Sequence, residues 1–257
     1  MGRRRCGVID VAFTRADLRP ADIAVVIDVL RATSTIAQAL ASGYRKVLCA
    51  DGIERALTLR RPGRVLAGER HCVTPPGFDQ GNSPLEAVDR RGEELVLATT
   101  NGAPAIVVAA QLAPTVLLAS LLNLKAVANM LAIDSDLPSL ELRMLCSGTD
   151  GALALEDVYV AGRLSALLPG PRTDAAKAAE AVARAFEQPF DALAQSADAA
   201  VLRTAGLVAD IAYCAIESTI NLVPRVFTAC GNVAVVGVRD QLAHHDGRVD
   251  ADNTVTV

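Results

Sequence analysis

Residues Ala24–Leu40 read AVVIDVLRATSTIAQAL. An apolar run, Ile23 to Ile27, meets an acid, Asp28, and a base, Arg31. Thr33, Ser34 and Thr35 follow, and then an Ala-rich apolar segment. A short apolar run bounded by charge reads as a buried strand. Hydroxyl residues ahead of an apolar periodic segment read as a helix start. Asp28 is therefore expected where a strand leaves a sheet, with Arg31–Thr35 forming the turn into a helix. Unpaired backbone N–H groups and the positive end of the helix dipole collect at such a turn and favour an anion. Arg31 adds a forked, permanently charged donor. Asp28 can hold a metal ion or a proton beside that anion. The plainer alternative is a capped helix with a surface ion pair, since strand–cap–helix units are the ordinary fabric of α/β proteins.

Working outward, the same unit recurs. Strands are predicted at 6–13, 46–50, 64–68, 94–99, 115–119 and 141–146, and helices near 52–60, 103–111, 124–131 and 154–168. Gly43 is a natural helix C-cap, and Pro104 suits a first helical turn. Polar residues follow the strands near 28, 69, 100, 120 and 147. In a parallel sheet such strand ends share one edge, and ligands bind there. One rim is thus expected to gather Asp28, Arg31, Ser34, Glu69, Asn101, Ser147 and Asp157. Residues 72–84, CVTPPGFDQGNSP, form a Pro- and Gly-fixed loop carrying Asp79, Asn82 and Ser83. A long ordered loop of this kind is either functional or a rigid crossover that caps its own backbone. The stretch 134–139 (DSDLPS) reads as a linker between an N-terminal α/β subdomain, 1–133, and a helix-rich C-terminal α/β subdomain, 140–257. Late strands are expected at 221–227 and 232–236, with a polar tail after His244. The region from 174 to about 214 reads as helical scaffold.

Composition narrows the classes. The 257 residues are 51% apolar but only 3% aromatic, without Trp. An Ala/Val/Leu core of this kind suits a helix-covered parallel sheet. Few aromatics and a net charge of −4 argue against nucleic acid and against an anionic membrane surface. The six Cys are scattered without a CxxC pair, which suggests reduced thiols and a cytoplasmic protein. MGRRRCGVID lacks the apolar core of a signal peptide, and no uncharged apolar stretch is long enough for a bilayer.

Several chemistries lack their signatures. There is no GxxxxGK[ST] and no strand-following GxGxxG, no zinc spacing, and no GxSxG elbow. Cys146 opens a loop after a strand, but Ala152 stands where a cysteine phosphatase would carry its arginine. Carboxylates remain: Asp28, Glu69, Asp79, Glu156 and Asp157. Each alone reads as a surface acid. Together, at strand ends beside an anion site, they suit a hard cation such as Mg²⁺, which takes one or two carboxylates, water and phosphate oxygens. For a nucleophile the order is Asp28, Ser34, Cys146. A carboxylate needs no deprotonation, and Asp28 serves equally as a metal ligand with water attacking.

The motifs DVLRATST (28–35), GER (68–70), GFDQGNSP (77–84), TTNG (99–102), SLLN (120–123) and CSG followed by LED (146–148, 155–157) occur in this order. Together they resemble the 2-phosphosulfolactate phosphatase (ComB) family, and the likeness reaches from the first strand to about residue 162, more weakly to Val223-Pro224. The chain departs from the family pattern at Ala103, at Ala119 and around Asn221. The resemblance implies a three-layer α/β/α protein built from two similar subdomains with mostly parallel sheets. It implies an Mg²⁺-dependent hydrolase acting on 2-phosphosulfolactate in coenzyme M synthesis. Asp28, Arg31 and Ser34 would be catalytic. Thr33, Thr35, Arg70, Asn82, Ser83, Thr100, Asn101, Gly102, Ser147 and Gly148 would bind the phosphate ester, and Asp28, Glu69, Asp79, Glu156 and Asp157 the metal. Another small anionic phosphate ester as substrate, or a non-catalytic anion-binding relative, stays open, as does a homodimer.

Overall fold

The computed structural model describes residues 7–89, 91–133 and 140–238. The expected linker at 134–139 and the tail after His244 lie outside the described residues. In chain order the elements are β1 (Ile9–Ala12), β2 (Ile23–Ile27), α1 (Ala32–Ala41), β3 (Lys46–Ala50), α2 (Ile53–Thr58), β4 (Arg64–Gly68), β5 (Glu94–Ala98), α3 (Gly102–Leu112) and β6 (Thr115–Ala119). Then come α4 (Leu124–Ile133), β7 (Leu142–Cys146), α5 (Leu155–Leu167), α6 (Asp174–Arg184), α7 (Pro189–Ala194), α8 (Ala197–Thr204), α9 (Val208–Cys214), β8 (Arg225–Cys230) and β9 (Val233–Gly237). Helix α1 begins at once after Arg31, so the three hydroxyl residues lie inside its first turn rather than ahead of it.

The strands form one nine-stranded sheet in the order β1-β7-β2-β6-β8-β9-β3-β5-β4. It is not parallel throughout. β1, β7, β2 and β6 form one parallel group, and β3, β5 and β4 a second. The antiparallel pair β8–β9 joins them. The expected single edge of strand ends is therefore replaced by two edges, one per group.

Period-two alternation sorts the core. Val25 and Ile27 of β2 pack toward α4 and α5, while Ala24 and Val26 pack toward α1 and α3. In the second group Val47 and Cys49 of β3 join that same α1/α3 cluster, and Leu48 and Ala50 turn to α2. Each group is thus a three-layer α/β/α arrangement, and α1 with α3 is the layer they share. The sequence of α3, GAPAIVVAAQL, is apolar nearly all round, which suits a helix buried on every side. Gly102 to Val107 and Ala109 are all buried.

Because α1 follows β2 and α3 follows β5, this shared layer brings the ends of two strands from different groups together. The helix starts abut. A Cβ added to Gly102 would lie 2.4 Å from Ala32 Cβ and 2.4 Å from Asp28 Oδ2, so only glycine fits.

Among the described residues no helix is long and apolar enough to cross a membrane. Cys49, Cys146 and Cys214 are free and buried, Cys72 is half-buried, and Cys230 is exposed.

A second close approach secures the outer layer. A Cβ at Gly162 of α5 would stand 2.0 Å from the Ala179 carbonyl oxygen of α6. Gly162→Ala is expected to push α6 outward and destabilise the fold by about 1–3 kcal/mol, the usual range for overpacking. Urea denaturation measures this, and an unchanged midpoint would refute the close contact.

Candidate active site

The carboxyl ends of both parallel groups open onto one cavity of about 110 Å³. Asp28 and Arg31 reach it from the end of β2, Glu69 from β4, Thr99, Thr100 and Asn101 from β5, and Thr149 and Asp150 from β7. The loop after β4 adds His71, Cys72 and Asn82, and α8 adds Asp198, Val201 and Leu202.

At the centre is Asp28, itself mostly buried. Its Oδ1 accepts the Ala32 N–H at 2.9 Å, while its backbone oxygen accepts the Thr33 N–H and the Thr33 hydroxyl. The start of α1 was expected to greet a substrate anion. Instead it is capped by the carboxylate of its own chain, the favourable pairing of negative charge with a helix N-terminus. Burial raises the Asp28 carboxyl from an ordinary 3.8 to about 7, against the Ala32 bond and with added repulsion from Asp198 and Glu69.

Arg31 spends one N–H on Asp210 of α9, with Nη1 to Oδ2 at 2.6 Å and both side chains buried. Glu69 accepts the Thr100 N–H at 2.8 Å and the Cys72 N–H at 3.1 Å, so one carboxylate fixes the turns after β4 and β5. Asn101 Oδ1 accepts the Asp150 N–H across the cavity floor. Asn82 Oδ1 and Thr100 Oγ1 are buried without a hydrogen-bond partner, and both residues line the cavity.

Asp157 brackets the ends of β2 and β7, its oxygens accepting the Val29 N–H at 2.9 Å and the Gly148 N–H at 3.2 Å. Burial, then the charge of Asp28, holds its carboxyl well above the carboxylate range. Glu156 is raised likewise by burial, then by Asp157 and Asp198, and its Oε2 has no partner.

The lining residues set Asp28, Glu69, Asp150 and Asp198 against the single guanidinium of Arg31, itself paired to Asp210. Such a wall repels an anion unless a cation accompanies it. Among the described residues no three His, Cys, Asp or Glu side chains converge on one metal position.

Against this geometry stand the comparisons. The family model described as 2-phosphosulpholactate phosphatase matches residues 11–228. The chain belongs to that family. A relative from Deinococcus radiodurans is 42% identical over 225 residues, covering 82% of this chain and 92% of its own. One from Thermus thermophilus is 40% identical over 200 residues, covering 76% and 83%. A third, from Carboxydothermus hydrogenoformans, is 35% identical over 239 residues, covering 90% and 98%. Each is named "Probable 2-phosphosulfolactate phosphatase". The 2-phosphosulpholactate phosphatase match takes in every cavity residue and Asp210.

Of the residues expected at the site, Asp28, Arg31, Glu69, Asn82, Thr100 and Asn101 meet at the cavity, and Gly102 supports it from behind. Thr33, Ser34 and Thr35 are buried and turn to the backbone. The Ser34 hydroxyl donates to the Val29 oxygen and the Thr35 hydroxyl to the Asn82 oxygen. Ser83 reaches Asp210. Ser147, Gly148, Glu156 and Asp157 are absent from the cavity wall, and Ser147 Oγ lacks a partner. Asp79 lies elsewhere, pairing with Arg60 and accepting the Leu66 N–H, and Arg70 is exposed. Cys146 is buried, and burial, then Asp157 and Glu156, keeps it a thiol.

Sequence reasoning missed Asp198 and Asp210. Both sit on short helices read as scaffold, where an Asp looks like any surface acid. Only their surroundings set them apart: Asp210 is buried against Arg31, and Asp198, half-buried, lines the cavity and accepts the Thr149 hydroxyl.

The raised carboxyls fix the sign of one pH effect. Between about pH 4 and 7 the folded protein keeps a proton on Asp28 that the unfolded chain has lost. This contribution to stability is full below about 4 and fades as pH rises through about 7. Glu94 and Glu180 are lowered, so their contributions stay flat over that window. In EDTA the melting temperature is expected to fall from about pH 5 to about pH 7.5, and Asp28→Asn to flatten the slope. A melting temperature that rises over this range would overturn the assignment.

Proposed function

We propose that this chain hydrolyses 2-phosphosulfolactate to sulfolactate and inorganic phosphate, and that the reaction depends on Mg²⁺. The observation that carries the reading is the meeting of Asp28, Arg31, Asn82, Thr100 and Asn101 from two strand groups at one cavity, in a chain matched by that family over 11–228. The names of the relatives supply the substrate.

The donors present fit a hard cation. They are oxygens, several are carboxylates raised by burial and mutual repulsion, and Asn82 Oδ1 is a buried oxygen without a partner. Mg²⁺ requires only one or two carboxylates, filling its other positions with water and phosphate oxygens. Asp28 with Glu69 or Asp198 would hold it, which needs no three-ligand cage. Bound there, the ion would offset the phosphoryl charge.

The chain's own residues do the rest. Arg31 keeps the unspent part of a five-donor fork for the phosphoryl or sulfonate oxygens. Asn82, Thr100 and Asn101 add neutral donors. Leu30, Val201 and Leu202 supply apolar wall and limit water. In direct hydrolysis a water oxygen bonds to phosphorus as the bond from phosphorus to the ester oxygen breaks. One water proton ends on that ester oxygen, so sulfolactate leaves with its hydroxyl restored and phosphate leaves as HPO₄²⁻. Ser34 is unsuited to attack, since its hydroxyl is bonded to the backbone away from the cavity. Asp28 is the remaining covalent candidate because it faces the cavity.

Phosphate release from 2-phosphosulfolactate, beside a panel of phosphorylated hydroxy acids, tests the substrate. EDTA is expected to abolish turnover and Mg²⁺ to restore it; full activity after exhaustive chelation would sink the metal assignment. Asp28→Asn is expected to lower kcat by about a hundredfold or more. Acid quench of the wild type with labelled substrate separates direct hydrolysis from a phosphoenzyme. Protein-bound label released by hydroxylamine would show that a carboxylate takes the phosphoryl group first, and its loss in Asp28→Asn would place it on Asp28.

A further inference from the structure

We infer that Asp210 and Ser83 form a two-residue clamp that positions Arg31 for the anionic substrate, so that the C-terminal helices set substrate affinity. The inference rests on the phosphatase reading. Asp210 lies on α9, far along the chain from the cavity's core motifs. Its Oδ2 takes the Arg31 Nη1–H at 2.6 Å, and its Oδ1 takes the Ser83 hydroxyl at 2.6 Å. Ser83 is itself directed, because its oxygen accepts the Leu85 N–H at 3.2 Å. With that N–H arriving, the hydroxyl hydrogen is free to point at Asp210, and the carboxylate is held at both oxygens.

All three side chains are buried: Arg31 is 4% exposed, Asp210 2% and Ser83 6%. A guanidinium out of water with one carboxylate partner loses its swivelling freedom, and its remaining N–H groups point in a fixed direction. That direction includes the cavity, which Arg31 lines. The pair is formally neutral, so Arg31 serves as an aimed donor rather than as surplus positive charge. Asp210 and Ser83 do not line the cavity. They are positioning residues, and Arg31 is the group they aim.

Asp210→Asn keeps the side-chain volume and an oxygen for Ser83, but it meets Arg31 without charge. It is expected to raise KM for 2-phosphosulfolactate by about tenfold or more, with a smaller effect on kcat, because ground-state binding is lost. Affinity for inorganic phosphate measured with Mg²⁺ present should weaken by a similar factor. Ser83→Ala, a gentler change, should shift KM in the same direction by less, and the two substitutions together should be non-additive. Chemical rescue isolates the clamp. Arg31→Ala should regain activity with added methylguanidinium when Asp210 is present, and should not when Asp210→Asn is combined with it. If Asp210→Asn fails to fold, Ser83→Ala decides. Unchanged KM and phosphate affinity in a folded Asp210→Asn, or in Ser83→Ala if only that variant folds, would overturn the clamp. Equal rescue with and without Asp210 would do the same. Failure of the wild type to turn over any phosphate ester would refute the phosphatase reading instead, and inorganic phosphate binding would then decide the clamp.

Discussion

The contact between the starts of α1 and α3 is the constraint on which the rest depends. Gly102 lies against Ala32 and against the Asp28 carboxylate at a distance no side chain could occupy. Because the helices touch there, the ends of β2 and β5, which belong to different strand groups, are held together. The cavity exists because of that meeting. Close approach of this kind is one of the few physical reasons for glycine at a helix start. It also explains why the helix dipole of α1 acts on Asp28 rather than on free solvent: the carboxylate is part of the packed junction and accepts the Ala32 N–H.

Burying acids at this junction is costly, and the structure distributes the cost unevenly. Glu69 and Asp157 each accept two backbone N–H groups. At Asp157 those bonds favour the charged form, and burial outweighs them. Asp210 is balanced by Arg31 outright. Glu156 is left with an oxygen unpartnered. A cluster of buried acids costs stability that an apolar junction would not, and carboxyls raised in this way gather where function requires them. The left-handed backbone of His71, Cys72 and Asp150 is consistent with the same trade, since all three line the cavity and non-glycine residues adopt that conformation only at a cost.

Much of this was legible in the sequence because the information was local. The strand at 23–27, the helix after Arg31 and the strand–turn units ending at 68, 98 and 146 follow from apolar runs and their punctuation. Asp28, Arg31, Glu69, Asn82, Thr100 and Asn101 were all found as polar residues at those ends or in the loop that precedes β5. What was not legible depends on contacts between distant segments. No local signal told that the sheet reverses sense through β8 and β9, or that α3 would be enclosed by both strand groups, although its unbroken apolar composition was the available clue. Asp79 resembled a ligand within GFDQGNSP, yet it turns back to β4. Asp198 and Asp210 resembled surface acids because helices α8 and α9 are short and mixed in polarity, and their meaning comes from what they face.

The shared helical layer has a thermodynamic corollary. In a chain whose two strand groups each had private helices, one could melt while the other stayed intact. Here Val47 and Cys49 on one side and Ala24 and Val26 on the other belong to a single apolar cluster with α1 and α3 between them. Opening either strand group strips one face of the same two helices and exposes residues such as Ile106 that are fully buried. The loss is felt across the whole layer, which couples the opening of one half of the core to the opening of the other.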